Sequence, residues 1–320
     1  MLSPVNSSSG YEPCVKFAPC QLSSSSEGRT KDIGLGSLIE SLTARQEFFY
    51  GIEISALTAN QPTCLDFNEF LPTLPAFVSL VWLGISYWNI PMDENYSLQL
   101  AKHMEPHIPV LTHLSAYRMT EERLNEFLAK NFRNVLIVRG DEIHEGQKFT
   151  YGREMIEYSR QQRKADNLSI GVPGYPEGYH KNPINDPILN IQYLKEKISA
   201  GGEFIITQTC YSSQKIIQFI NDCREANVTV PIIIGIMVPD SVRNYHIVKN
   251  ITGAQLPNEV NDLRVNADDI LKFFVDLTVR NIRDIFTANL GIQGIQFFTM
   301  NRFRPVQMVL DELRTLKILQ

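Results

Sequence analysis

The 320-residue chain lacks a GxGxxG turn after any apolar run, which removes the Rossmann fingerprint for dinucleotides. It also lacks GxxxxGK[ST], so no phosphate-cradling P-loop is expected. There is no CxxC: Cys14, Cys20, Cys64, Cys210 and Cys223 are an odd, scattered set that suggests neither a disulfide framework nor a zinc site. Basic residues do not dominate. A net charge of −5 and a pI near 5.8 argue against nucleic acid or a membrane surface as partner. No apolar run approaches the length of a transmembrane helix. The N-terminus has no charged segment followed by an apolar stretch, so no signal peptide is expected and a reduced, cytoplasmic protein is. No Ser-His-Asp or Cys-His nucleophile can be assembled from spacing. His103 and His107 flank Glu105, but Pro106 breaks that segment as a helix, and no metal site is expected there.

What is present is apolar and alternating. Hydrophobic residues make up 43% of the chain, enough for a large core. Residues 1–32, rich in Ser, Gly and Pro, read as a disordered arm, leaving 33–320 as one domain. Strand-like runs follow at Phe48–Ser55, Phe77–Leu83, Pro109–Ser115, Asn134–Arg139, Ser169–Tyr175, Phe204–Thr209, Pro231–Met237 and Gly294–Asn301. Their nearly continuous β-branched and apolar residues are the pattern of strands buried on both faces. Helical segments with capping residues separate them, among them Thr120 before Glu121-Glu122, and Pro187 to Ala200 stopping at Gly201-Gly202. Eight strands alternating with helices predict an α/β fold, a (β/α)8 TIM-type barrel, with an open doubly wound sheet as the alternative.

Chemistry in such barrels sits at the carboxyl ends of the strands. Those ends carry Glu53, His113, Arg139-Gly140-Asp141, Tyr175, Gln208 and Asn301-Arg302. Taken singly, Arg139-Gly140-Asp141 is an adhesion tripeptide or a strand end; each of the others is an ordinary polar residue meeting solvent. As a set they would converge on one mouth.

The motifs VRGD (Val138–Asp141), GYPEG (Gly174–Gly178) and LKEKISAGGEFIITQ (Leu194–Gln208) resemble the 5,10-methylenetetrahydrofolate reductase family in order and spacing. THLS (Thr112–Ser115), PIIIGIM (Pro231–Met237) and FFTMNR (Phe297–Arg302) extend the likeness from about Phe48 to the C-terminus. The resemblance implies a barrel that holds FAD without a Rossmann motif, placing Arg139-Gly140-Asp141 at a flavin-facing strand end. It implies a ping-pong hydride relay in which NADPH or NADH reduces the flavin and the flavin reduces the folate. Glu53 would be the acid that opens the folate's five-membered ring, Asp141 the carboxylate between flavin and pterin, Gln208 the amide orienting the folate, and Arg302 a cation placing it. His113, Val138, Arg139, Gly140, Asp141, Tyr151, Tyr175, His180 and Lys197 would line the flavin, with Tyr179 an equal candidate to His180. Self-association into a homo-oligomer is left open. The C-terminal domain through which longer eukaryotic members sense S-adenosylmethionine has no counterpart, so no such inhibition is expected.

The chain departs from the family's pattern in places. Ile54-Ser55-Ala56 follow the acid, Val81-Trp82-Leu83-Gly84 replace a hydroxyl-bearing turn, and Thr209-Cys210-Tyr211-Ser212 follow the amide. Glu196 stands where a basic residue would meet the diphosphate, and no aromatic for stacking on the pterin follows Met237. The alternative these departures imply is a non-catalytic or regulatory paralogue on the same barrel.

Overall fold

The computed structural model describes residues 13–22, 34–56, 63–81, 87–140, 142–163, 168–179, 186–256 and 267–319. Each expected strand-like run contains a parallel strand: β2 (Phe49–Ile54), β4 (Phe77–Leu80), β5 (Val110–Ser115), β6 (Asn134–Val138), β7 (Ser169–Gly174), β8 (Phe204–Thr207), β9 (Ile232–Met237) and β10 (Gly294–Phe298). They close as a barrel in the order β10-β2-β4-β5-β6-β7-β8-β9, so chain neighbours are spatial neighbours and β10 seals against β2. The fold is therefore the (β/α)8 barrel; the open sheet is excluded by that closure.

Alternation along each strand divides the core in two. Tyr50, Ile52 and Ile54 of β2 point out to the helices and join the larger apolar cluster. Phe49 points inward, where Phe77, Leu111, Leu136, Phe204, Ile206 and Ile233 fill the barrel floor. The aromatic rings need space on the facing strand. A Cβ on Gly171 would lie 2.5 Å from Phe204 Cε2, so glycine is what admits that ring.

Helix Leu35–Ala44 plugs the amino-terminal end, burying Leu35 and Ile39 against the same floor cluster. Its first turn is held by the barrel itself. Leu35 N donates to Asn134 Oδ1 at 2.7 Å and Gly36 N to Ser169 Oγ at 2.7 Å, satisfying amides that a helix start leaves unpaired. Among the outer helices, Thr120 caps Glu121–Leu128 by accepting from Arg123 N, and Asp186 caps Pro187–Ser199. No helix among the described residues is long and apolar enough to cross a membrane.

The expected disorder of residues 1–32 is corrected for 13–22, and the rest of that arm lies outside the described residues. Within the supposed disordered arm, β1 (Cys14–Lys16) pairs in parallel with β3 (Cys64–Asp66), and helix Pro19–Leu22 follows it. Phe17 stacks on Phe67 and lies 4.1 Å, centroid to centroid, from the His107 ring. His103 and His107 thus grip an aromatic ring; among the described residues no cluster of metal-ligating side chains occurs. Composition hid this element because a three-residue strand has no local stability and depends on what it docks against.

Candidate functional site

Seven of the eight strands, together with Val81 just past β4, line a cavity of about 550 Å³ at the carboxyl ends. Glu53 enters it from β2, His113 from β5, Val138 and Gly140 from β6 and its turn, and Gln208 from just past β8. A second cavity of about 460 Å³ lies beside it, lined by Arg139, Tyr151, Arg153 and Lys197 among others. Pro173, Tyr175 and Tyr179 line both, so the two form one elongated cleft. A larger groove of about 1150 Å³ runs between outer helices, past Arg160, Ile188 and Asp222, away from the strand ends.

Glu53 is positioned by the end of β10. Thr299 Oγ1 donates to Glu53 O at 2.6 Å, and Thr299 N reaches Glu53 Oε1 at 3.4 Å. Met300 and Asn301 both take left-handed backbone angles, φ +48 and +60, turning the chain so that Asn301 clamps the next residue on β2. Its Oδ1 accepts from Ser55 N at 2.9 Å and its Nδ2 donates to Ser55 O at 2.8 Å. Burial pushes the Glu53 carboxyl up to about 7, and the amides of Thr299 and Met300 only partly oppose that rise. Near neutral pH the side chain therefore carries a proton for much of the time.

His113 is kept neutral: burial lowers it to about 4, and Nε2 lies 2.6 Å from Ser79 Oγ. Ser79 stands within the second barrel strand, in register with Glu53, and its hydroxyl is the partner of His113. Gln208 is turned into the cavity by a local change in the ladder. Beyond Ile206, the hydroxyls of Thr207 and Thr209 accept from Gly235 N and Met237 N, while Gln208 N still bonds Gly174 O. Gln208 Oε1 accepts from Thr209 N at 2.9 Å, leaving the amide nitrogen as donor toward a ligand.

The second cavity has the donors an anion needs. Arg139 Nε is buried with no hydrogen-bond partner among the described residues, while its guanidinium stacks 5.3 Å over the Tyr179 ring. Burial lowers the Lys197 amine to about 7; its Nζ bonds Pro173 O at 2.6 Å and faces the Tyr175 ring. Gly140 has φ +84, and a Cβ there would lie 2.6 Å from Ser115 Oγ, so this turn requires glycine. Tyr179 OH donates to Gly140 O at 3.2 Å and closes the turn over the cleft. A guanidinium whose Nε is unpaired among the described residues, an amine and the Tyr151 phenol in a narrow slot fit a diphosphate, and the apolar neighbour cavity fits a flat ring.

Of the residues expected from sequence, Glu53, His113, Val138, Gly140, Tyr175 and Gln208 meet in the first cavity, and Arg139, Tyr151, Tyr175 and Lys197 in the second. Arg302 does not join them. It is exposed at the rim and paired with Asp240. Asp141 and His180 lie outside the described residues. Sequence reasoning missed Ser79, Thr299 and Arg153. Arg153 Nη1 binds Glu196 Oε2 at 3.0 Å, so the acid standing at a basic position is neutralised by a cation from the neighbouring helix. Thr299 sat inside the FFTMNR run without an assigned role; no spacing in the sequence pointed to the other two.

Comparison with known proteins gives a consistent picture. The profile of the family described as Methylenetetrahydrofolate reductase matches residues 63–314. A Schizosaccharomyces pombe protein named Methylenetetrahydrofolate reductase 2 is 30% identical over 264 residues, which is 74% of this chain and 40% of that one. The Zea mays Methylenetetrahydrofolate reductase (NADH) 1 is 26% identical over 71% of this chain and 41% of its own. The chain thus spans well under half the length of these curated relatives. Among solved structures, a Clostridium thermocellum protein described as binding two copies of 5-methyl-5,6,7,8-tetrahydrofolic acid shares the fold, with a TM-score of 0.65 at 17% identity, over 88% of this chain and 99% of that one.

Proposed function

Because the chain belongs to the methylenetetrahydrofolate reductase family, we propose that it is a flavin-dependent oxidoreductase that reduces 5,10-methylenetetrahydrofolate to 5-methyltetrahydrofolate with NADH or NADPH. Relatives carry either donor in their names, NADH in Zea mays and NADPH in Caenorhabditis elegans. The observation that carries the reading is Glu53, a carboxyl raised to about 7 at the floor of the strand-end cavity. When bound, FAD supplies the carrier that accepts hydride from the nicotinamide and delivers it to the folate.

The residues of the chain do the rest. Glu53, held protonated by burial, gives its proton to a ring nitrogen of the folate, so that the carbon–nitrogen bond breaks without leaving an amide anion. Gln208 presents its amide nitrogen to the pterin from the next wall of the cavity. His113, neutral and tied to Ser79, offers a hydrogen bond without adding positive charge near the electron-rich ring system. Arg139 and Lys197 would hold the diphosphate in the second cavity, and Tyr175 and Tyr179 line both halves of the cleft. One cavity serves both substrates in turn, which is the ping-pong order.

Anaerobic spectroscopy of Glu53→Gln tests this. Flavin reduction by the nicotinamide is expected to survive, while reoxidation by the folate falls by roughly 10²–10⁴-fold, the usual weight of a general acid. Loss of both half-reactions in a folded, flavin-loaded variant would overturn the role of Glu53. A wild-type protein that takes up no FAD would overturn the proposal and favour a non-catalytic barrel.

A further inference from the structure

We propose that Cys14 and Cys64 form a dithiol site that closes reversibly to a disulfide, fastening the N-terminal segment onto the connection that follows β2. The two residues are direct register partners of the parallel β1–β3 pair. Adjacent strands run about 4.8 Å apart, inside the Cα separation a disulfide spans. Their side chains share a face. Val15 and Leu65 turn in toward the core, so Cys14 and Lys16 on one strand, and Cys64 and Asp66 on the other, turn outward. The neighbouring outward pair makes contact, Lys16 Nζ to Asp66 Oδ2 at 3.4 Å, two residues along the same ladder. Both cysteines are exposed, so a small oxidant reaches them, whereas Cys210 and Cys223 are buried.

A hydrogen bond to Cys14 raises the Cys64 thiol, so the two sulfurs already lie within reach of each other. The oxidant is a small disulfide such as oxidised glutathione. Cys14 thiolate attacks one of its sulfurs and releases one glutathione thiolate. Cys64 then loses its proton, attacks the Cys14 sulfur of the mixed disulfide, and releases the second. Two protein thiols are oxidised, one small disulfide is reduced to two thiols, and the two protons end on those thiols.

The bond would secure a contact already in place. Cys14 N donates to Thr63 O at 3.0 Å, and Thr63 Oγ1 donates to Ser55 O at 2.9 Å, the strand end that Asn301 also clamps. The site is therefore one that joins segment 13–22 to the connection leaving the Glu53 strand.

The test is oxidation of the full chain with oxidised glutathione, followed by non-reducing peptide mapping and hydrogen exchange. The expected result is a Cys14–Cys64 linkage in the wild type and in Cys20→Ser, reversed by dithiothreitol. Amide exchange in residues 14–18 is expected to slow by at least about tenfold on oxidation, as closing a loop suppresses local opening. Cys14→Ser and Cys64→Ser should each show a glutathione adduct on the remaining partner and no change in exchange. A linkage through Cys20, stable glutathione adducts on both Cys14 and Cys64, or no reaction would overturn the proposal.

Discussion

Replacing Glu53 by Gln keeps the shape of the side chain and removes its titration, so the pair of proteins isolates one group's contribution to stability. In the folded state burial raises the carboxyl from its ordinary 4.5 to about 7. The native protein therefore holds this proton more tightly than the unfolded chain does. Stability from that source is complete below pH 4.5, where both states are protonated, and is lost as pH rises through about 7. At about 1.4 kcal/mol per pH unit, the interval sets an upper bound of roughly 3 kcal/mol on the cost of an ionised Glu53. Its side chain keeps some exposure to the cavity, so solvent screening reduces the figure to about 1–2 kcal/mol. The expected outcome is that Glu53→Gln becomes the more stable protein, relative to wild type, between about pH 5 and about pH 8. Urea denaturation of both proteins across that range measures it, and every other titrating group cancels in the comparison. Parallel stability curves for the two proteins would refute the reasoning, since they would mean that Glu53 titrates alike in the folded and unfolded chains.

Three further outcomes are expected. Lys197→Met should weaken FAD binding by about 10–100-fold, the weight of one charge-assisted hydrogen bond; moreover, wild type near about pH 8 should take up a proton on binding, because an amine lowered to about 7 by burial is drawn back to its charged form by the diphosphate. Calorimetry in two buffers of different ionisation enthalpy reads that proton, and identical heats would contradict it. Gly171→Ala should cost about 1–3 kcal/mol in chemical denaturation, because the Phe204 ring occupies the space of the new methyl group; an unchanged midpoint would show that the ring has room to shift.

Much of the barrel was legible because its signals are local. A strand buried on both faces must be apolar along its length, so β6 and β9 announce themselves in NVLIV and IIIGIM without knowledge of their neighbours. Thr120 and Ser212 likewise cap helices with hydroxyls only three residues from the amides they satisfy. The strand ends then follow by counting, which is how Glu53, His113, Gly140, Tyr175 and Gln208 could be nominated together. Arg302 was nominated by the same counting and lies at the rim, because the left-handed turn at Met300-Asn301 redirects the chain after β10.

Other features depend on partners far away in the chain. Ser79 serves His113 and Thr299 serves Glu53 across 34 and 246 positions of sequence. Arg153 neutralises Glu196 between two helices whose spacing only packing sets. Segment 14–18 is a strand and a docked ring only because β3, Phe67 and His107 stand beside it. The amino-acid sequence by itself determined the eight-strand alternation, the burial of each strand on both faces, and the kind of side chain at each strand end. The tertiary structure alone decided which carboxyl is buried enough to hold a proton at neutral pH, which guanidinium turns into the second cavity, and which two cysteines face each other. Periodicity and capping act over a few residues, whereas desolvation and pairing are set by whatever the closed barrel brings together.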